Sequence, residues 1–213
     1  MIARTLALLV GLTVATSAGA QTPPAPLVLE AKIPLGSDPT TRTKVGDIRL
    51  KAHPESFQIE GDRAFVNVPD ARLIEVADLT EGEVVGAWPT QPNHSNFPMA
   101  MDREARRLFV VFRSPARLVV MSAADGGVVG SLDACGDSDD VFVDTKRHRV
   151  YVTCGAGVVD VFEDRGGSYQ RVGQIPTVSG ARTSLFVPEL DRLFVAVRSS
   201  GNEPAAIWVF RPG

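Results

Sequence analysis

The chain is poor in cysteine, aromatics and positive charge: it has two cysteines, 7% aromatic residues and a formal net charge of -3. A surface that stacks bases or attracts a phosphate backbone is therefore not expected, and no nucleic-acid partner is read from it. The two cysteines, Cys135 and Cys154, stand too far apart for a Cys-x-x-Cys-His haem attachment. Its three histidines, His53, His94 and His148, form no His-x-x-x-His pair. A metal centre normally needs three or four convergent ligands, so none is assigned. Gly-x-Ser-x-Gly, the phosphate loop and the dinucleotide fingerprint are all absent, so no catalytic residue and no cofactor is assigned.

The long apolar run needed to span a bilayer is missing too. The one apolar stretch lies at the start, in "MIARTLALLVGLTVATSAGA". Arg4, the run Leu6 to Val14 and the small residues Ala18-Gly19-Ala20 make the pattern of a signal peptide cut after Ala20. Residues 1–20 are thus expected to be removed, 21–26 ("QTPPAP") to be a stiff linker, and 27–213 to form the folded domain. The expected location is the periplasm or the exterior. N-terminal sequencing of the exported protein should begin at Gln21, and a retained Met1 would contradict this reading.

What the chain does have is a repeat. "RAFVNV" starts at Arg63, "RLFVVF" at Arg107, "RVYVTC" at Arg149 and "RLFVAV" at Arg192, at intervals of 44, 42 and 43 residues. An apolar stretch and a tight turn precede each copy, and a third strand follows. After the first three copies comes a Gly-flanked outer strand, such as "GEVVGAW" from Gly82 or "GVVGSL" from Gly127. A period in the low forties with four strands per unit is that of propeller blades. Apolar residues stand at successive positions in Phe194-Val195-Ala196-Val197, so both faces of the strand are expected to be covered. The fold class is therefore all-β: a β-propeller of four-stranded antiparallel blades, about four of them, with repeats starting near residues 53, 96, 137 and 180.

At "RVYVTC" the pattern sharpens. Tyr151-Val152-Thr153 carries three letters of the YVTN repeat, with Cys154 in the fourth place. The turn-plus-Arg that precedes it and the strand-Asp-x-x-x-Gly rhythm of "VADLTEG", Val76 to Gly82, also match. Over residues 27 to 213 the chain resembles secreted YVTN-type β-propeller proteins. That resemblance implies about seven blades.

The repeat is broken at both ends. The fourth copy stops at "AIWVFRPG", and "PLVLEAKIPLG", Pro26 to Gly36, reads as its missing outer strand. "DPTTRTKVGDIRL", Asp38 to Leu50, reads as one more outer strand with no inner strands of its own. A ring of seven blades needs roughly 300 residues at ~42 per blade. Two accounts remain: an internally shortened relative of a seven-bladed ring, or a true four-bladed ring at the small end of the range. The first predicts an open array with apolar end faces, including Phe57 and Phe65, that self-associate, and with Lys44 to Leu50 as an outer strand or poorly ordered chain.

Candidate site residues are few. Cys135 and Cys154 should be disulfide-bonded in an oxidising compartment, because the hairpin around Thr145 to His148 brings them to one rim. The run "DSDD", Asp137 to Asp140, enters an innermost strand and reads either as a turn cap or as a cation site. Arg113, Arg182 and Arg198 should share a rim with His53, Asp139 and Asp140, making either a polar funnel for an anionic or carbohydrate-like ligand or a set of blade-to-blade ion pairs. The function read from this is an exported binding or scaffold propeller that recognises a small ligand or a periplasmic protein. The alternative is a lactonase- or hydrolase-like enzyme with His53, Glu55 or His94 as base.

Overall fold

The computed structural model describes residues 47–201 and 204–213, together with the backbone of Leu27–Ile33. The expected signal peptide, the linker and the stretch 34–46 lie outside the described residues. Among the described residues no helix is long and apolar enough to cross a membrane.

The strands fall into four antiparallel sheets of four. β1 spans Leu27–Ile33 and belongs to the last of these sheets. The first sheet holds β2 (Phe57–Glu60), β3 (Arg63–Val68), β4 (Leu73–Asp78) and β5 (Glu83–Pro89). The second holds β6 (His94–Asp102), β7 (Arg107–Ser114), β8 (Ala116–Ser122) and β9 (Val128–Asp133). The third holds β10 (Ser138–Asp144), β11 (Arg149–Cys154), β12 (Val158–Asp164) and β13 (Tyr169–Pro176). The fourth holds β14 (Ser184–Val187), β15 (Arg192–Val197) and β16 (Ala206–Pro212), and β1 adds to β16 with Leu27 opposite Pro212 and Ile33 opposite Ile207. The fourth sheet thus joins both ends of the described chain, which pairs the free edge of β16. These are propeller blades, with the Arg-led strand second in each.

The repeat explains the local geometry. In three of the four hairpins the residue just before the Arg takes a left-handed conformation: Arg106 (φ 51°), His148 (φ 53°) and Asp191 (φ 54°). The first hairpin is shorter and uses Gly61 (φ 57°) instead. Each turn fixes the register, so equivalent residues face the same way in every blade.

The core lies between sheets, not within them. Phe65, Ile74 and Val76 of the first sheet pack on Leu108, Val110, Phe112 and Met121 of the second. Phe109, Val111 and Val120 pack on Val150, Val152 and Phe162 of the third. Tyr151, Val159 and Val161 pack on Phe186, Leu193, Val195 and Phe210 of the fourth. Buried amides bridge the first joint: Asn96 donates to Asn67 Oδ1 at 2.9 Å and to the Leu73 carbonyl at 3.1 Å.

Among the described residues no apolar cluster joins the fourth sheet back to the first. The array is open there, with Phe57 56% and Leu185 54% exposed. Two expectations are corrected. Phe65 does not lie on the open face, because its side chain points into the second sheet and is fully buried. Nor do residues 47–50 form an outer strand. Ile48, Leu50 and Ala52 instead lie on the outward face of the first sheet, over Ala64, Val66, Val68 and Ala77. With no inner strands of its own to pair with, this segment buries its apolar side chains on the nearest uncovered face. The Lys51 amide donates to the buried Glu75 carboxylate at 3.0 Å and fixes it there.

Candidate functional site

The innermost strands of the four sheets line one groove. Ser56 and Gln58 come from the first sheet, Pro98 to Met101 from the second, Asp139 to Val143 from the third, and Phe186 and Pro188 from the fourth. Its volume is about 280 Å³. The Ser56 hydroxyl is buried with no hydrogen-bond partner.

At one mouth of this groove the structure gathers four of the six expected rim residues. Arg113, at the end of β7, pairs with Asp139, and its Nη1 lies 3.2 Å from Asp137 Oδ1. Its Nε donates to the Ser138 carbonyl at 3.0 Å, and its guanidinium stacks 4.3 Å over the Phe97 ring. Arg182, in the loop before β14, donates to both Asp137 oxygens at 2.7 Å and to Asp139 Oδ2 at 2.7 Å. Two guanidinium and two carboxylate groups therefore neutralise one another across three consecutive sheets. The blade-to-blade ion pairing was one of the two expectations, and for Arg113 and Arg182 it is the geometry found.

Asp140 stands beside this network and faces the groove. Its Oδ2 accepts the Ser184 amide at 2.6 Å. Burial pushes its carboxyl above the usual carboxylate range; the Ser184 amide opposes this and the charge of Asp139 adds to it.

The other two expected members sit apart. Arg198, just beyond β15, donates to the Gly180 carbonyl at 3.4 Å and takes no part in the Asp137–Asp139 pairing. His53 is exposed and does not join the network. His94 opens β6. Among the described residues no group of three or more His, Cys, Asp or Glu side chains is arranged to hold a metal ion. In "DSDD", Asp137 and Asp139 are engaged by arginine and Asp140 by a backbone amide.

What holds the mouth in shape is the disulfide. Cys135 and Cys154 are bonded, with a Cα–Cα distance of 5.9 Å. The loops that follow them lie side by side: Gly155 N donates to the Asp137 carbonyl at 2.8 Å, and Ala156 N to the Gly136 carbonyl at 3.2 Å. A Cβ on Gly155 would overlap the Asp137 carboxylate, so only glycine lets that carboxylate reach both arginines. Asp160, fully buried, braces the same corner: it accepts the Cys135 amide at 2.8 Å and the Gln174 side chain at 2.8 Å, and pairs with Arg171 at 3.2 Å. Sequence reasoning missed Asp160. Its position in "VVDVF", a charged residue amid apolar ones in the middle of a strand, was the available signal.

No protein-family model matches the chain, and no curated protein matches it. Solved structures do. Hydrazine synthase of Kuenenia stuttgartiensis aligns over 82% of this chain with a TM-score of 0.65 and 14% identity, covering 49% of that protein. Sqt1 of Saccharomyces cerevisiae aligns over 77% with a TM-score of 0.59 and 12% identity, covering 47% of its chain. A candidate 6-phosphogluconolactonase of Bacteroides fragilis aligns over 73% with a TM-score of 0.55 and 14% identity, covering 53%. The chain spans about half the length of the solved structures it matches. At these identities the likeness shows the fold alone: an all-β chain of propeller-type blades.

Proposed function

We propose that the chain is an exported propeller of the YVTN type that works as a binding or scaffold module, not as an enzyme. The observation that carries this is the groove built from the innermost strands of all four sheets, with a neutralised ion-pair network at its mouth. Arg113 and Arg182 are occupied by Asp137 and Asp139, so the mouth offers little net charge to grip an anion. The groove offers instead the apolar side chains of Met99, Met101 and Phe186, the unpartnered Ser56 hydroxyl, Gln58 and Asp140. Such a lining suits a small neutral ligand with hydrogen-bonding groups, or the side chain of a protein partner. His53 and Arg198 contribute at most from the outer rim.

One observation favours a second reading. Asp140, a carboxyl raised above its usual range, faces the groove, as a general base or acid would. A hydrolase or lactonase would use it. The deciding experiment incubates the purified protein with a panel of lactones, phosphate esters and glycosides, measuring turnover and thermal shift together. The expected result is a thermal shift with one class and turnover with none. Turnover that disappears in Asp140→Asn, His53→Ala or Glu55→Ala would overturn the binding reading.

A further inference from the structure

Each Arg-led strand carries an aromatic two residues after its arginine: Phe65, Phe109, Tyr151 and Phe194. The first three are fully buried, each at the joint with the next sheet in sequence. Among the described residues no further sheet packs on Phe194. It lines an open apolar groove of about 320 Å³ with Leu185, Ala196 and Ile207.

The repeat also shows what covers such an aromatic. At the second joint the cover comes from Val143 and Val150 of the third sheet, and at the third joint from Phe186 and Leu193 of the fourth. By hairpin register the residues equivalent to Phe186 and Val143 are Met101 and Ile59, since Phe186 pairs with Leu193, Val143 with Val150, Met101 with Leu108 and Ile59 with Ala64. Ile59 is 40% exposed and belongs to no apolar cluster among the described residues. Beside it stands the exposed Phe57, equivalent to Met99, since Phe57 pairs with Val66 and Met99 with Val110. Among the described residues there is therefore one uncovered trailing face, on the fourth sheet, and one leading edge with nothing to cover, the exposed β2 of the first. Ile48, Leu50 and Ala52 cover the middle strands of that leading face, including Ala64, which stands where Val150 and Leu193 stand in the other sheets, and leave β2 with Phe57 and Ile59 exposed.

We propose that these two faces are halves of one joint, and that a second copy of this chain supplies the missing half of each. A two-fold pair closes both joints at once and leaves no open face. Two sets of four blades make eight, within the range of propeller rings. In the joint, Leu185 of one copy meets Phe57 of the other as Gln58 meets Met99 inside the chain, where the Gln58 side chain donates to the Met99 carbonyl at 3.1 Å.

The test is the mass of the purified protein by light scattering after gel filtration, at several concentrations. Twice the chain mass, constant with concentration, is expected. A single-chain mass, or a mass that grows with concentration as open head-to-tail chains would give, overturns the proposal. Phe194→Asp and Ile59→Asp should each weaken the dimer by ~tenfold or more. Mixing the two variants should restore dimers, because one joint then keeps two native faces while both charges fall in the other. A dimer broken by Phe194→Asp but indifferent to Ile59→Asp would mean that two fourth sheets face each other, and also overturns it. Circular dichroism and the intact Cys135–Cys154 bond report folding of each variant. If Phe194→Asp does not fold, the exposed Leu185→Asp takes its place.

Discussion

Replacing Cys135 and Cys154 together by alanine should lower the unfolding free energy by ~3 kcal/mol, read as a drop in denaturant midpoint. The bridge closes a loop with a sequence separation of 19. In the chain-entropy account a loop of that size restrains the unfolded chain by ~3 kcal/mol. Both sulfurs are buried among Val141, Val152 and Phe162, so the truncations also leave a small void. For a chain of this size the melting temperature should fall by ~6–12 °C. The effect should reach the groove as well, because the bridged loops carry Asp137 and Gly155. Reduction with dithiothreitol should reproduce the stability loss in the native chain and have no effect on the double alanine variant. A double variant as stable as the native chain would refute this account of the rim.

Arg147→Ala should cost about the same, on the opposite rim. Arg147 lies in the turn between β10 and β11 and reaches across to the fourth sheet. It makes two bonds to Asp191, at 2.6 and 2.8 Å, and one to Asp144 Oδ2 at 3.1 Å. Asp144 is 2% exposed and also accepts the Tyr151 hydroxyl at 2.7 Å. Removing the guanidinium leaves a buried carboxylate without its counter-charge, which costs ~3 kcal/mol. The same bond sets an acid limit. Hydrogen bonding to Arg147 holds the Asp191 carboxyl at about 2, below its ordinary value. A depressed carboxyl contributes stability that is present above its unfolded value and lost as pH falls through its folded one. The native chain should therefore hold this contribution down to pH near 4 and lose it toward pH 2. In Arg147→Ala that acid dependence should shrink sharply, leaving only the weaker pairing of Asp191 with Lys146 at 3.6 Å. An unchanged pH profile of unfolding in the variant would show that Asp191 is held by something else.

The parts of this architecture that repeat could be read from the sequence. The four Arg-led strands, the outer strand supplied by Leu27–Ile33 and the Cys135–Cys154 bridge follow from spacing, because hairpin register fixes which residues are neighbours. What the spacing does not carry is what happens between sheets. Arg113 and Asp139 are 26 residues apart, and Arg182 and Asp137 are 45. Nothing in their local pattern distinguishes a partner in the next blade from a free charge on a rim. His53 illustrates the same limit: nothing local tells how far from the arginines it stands. Residues 47–50, the described part of the stretch Lys44 to Leu50, depart from the outer-strand expectation for a different reason. Their alternating apolar residues fit an outer strand, and only the absence of a pairing partner sends Ile48 and Leu50 onto the face of the first sheet.

Among the described residues the four sheets form an arc that does not close within one chain. The most direct test places cysteines at Phe57 and Leu185, the exposed positions that would touch if the first and fourth sheets met. The doubly substituted protein is purified, exposed to a short bifunctional thiol cross-linker at low concentration and mapped by non-reducing mass spectrometry. The native pair is already bridged, so only the new thiols react. The arc predicts no link between residues 57 and 185 within a chain, and a link between chains wherever the product has twice the chain mass. A 57–185 link in a product of single-chain mass would mean a closed four-bladed ring, and would contradict the account.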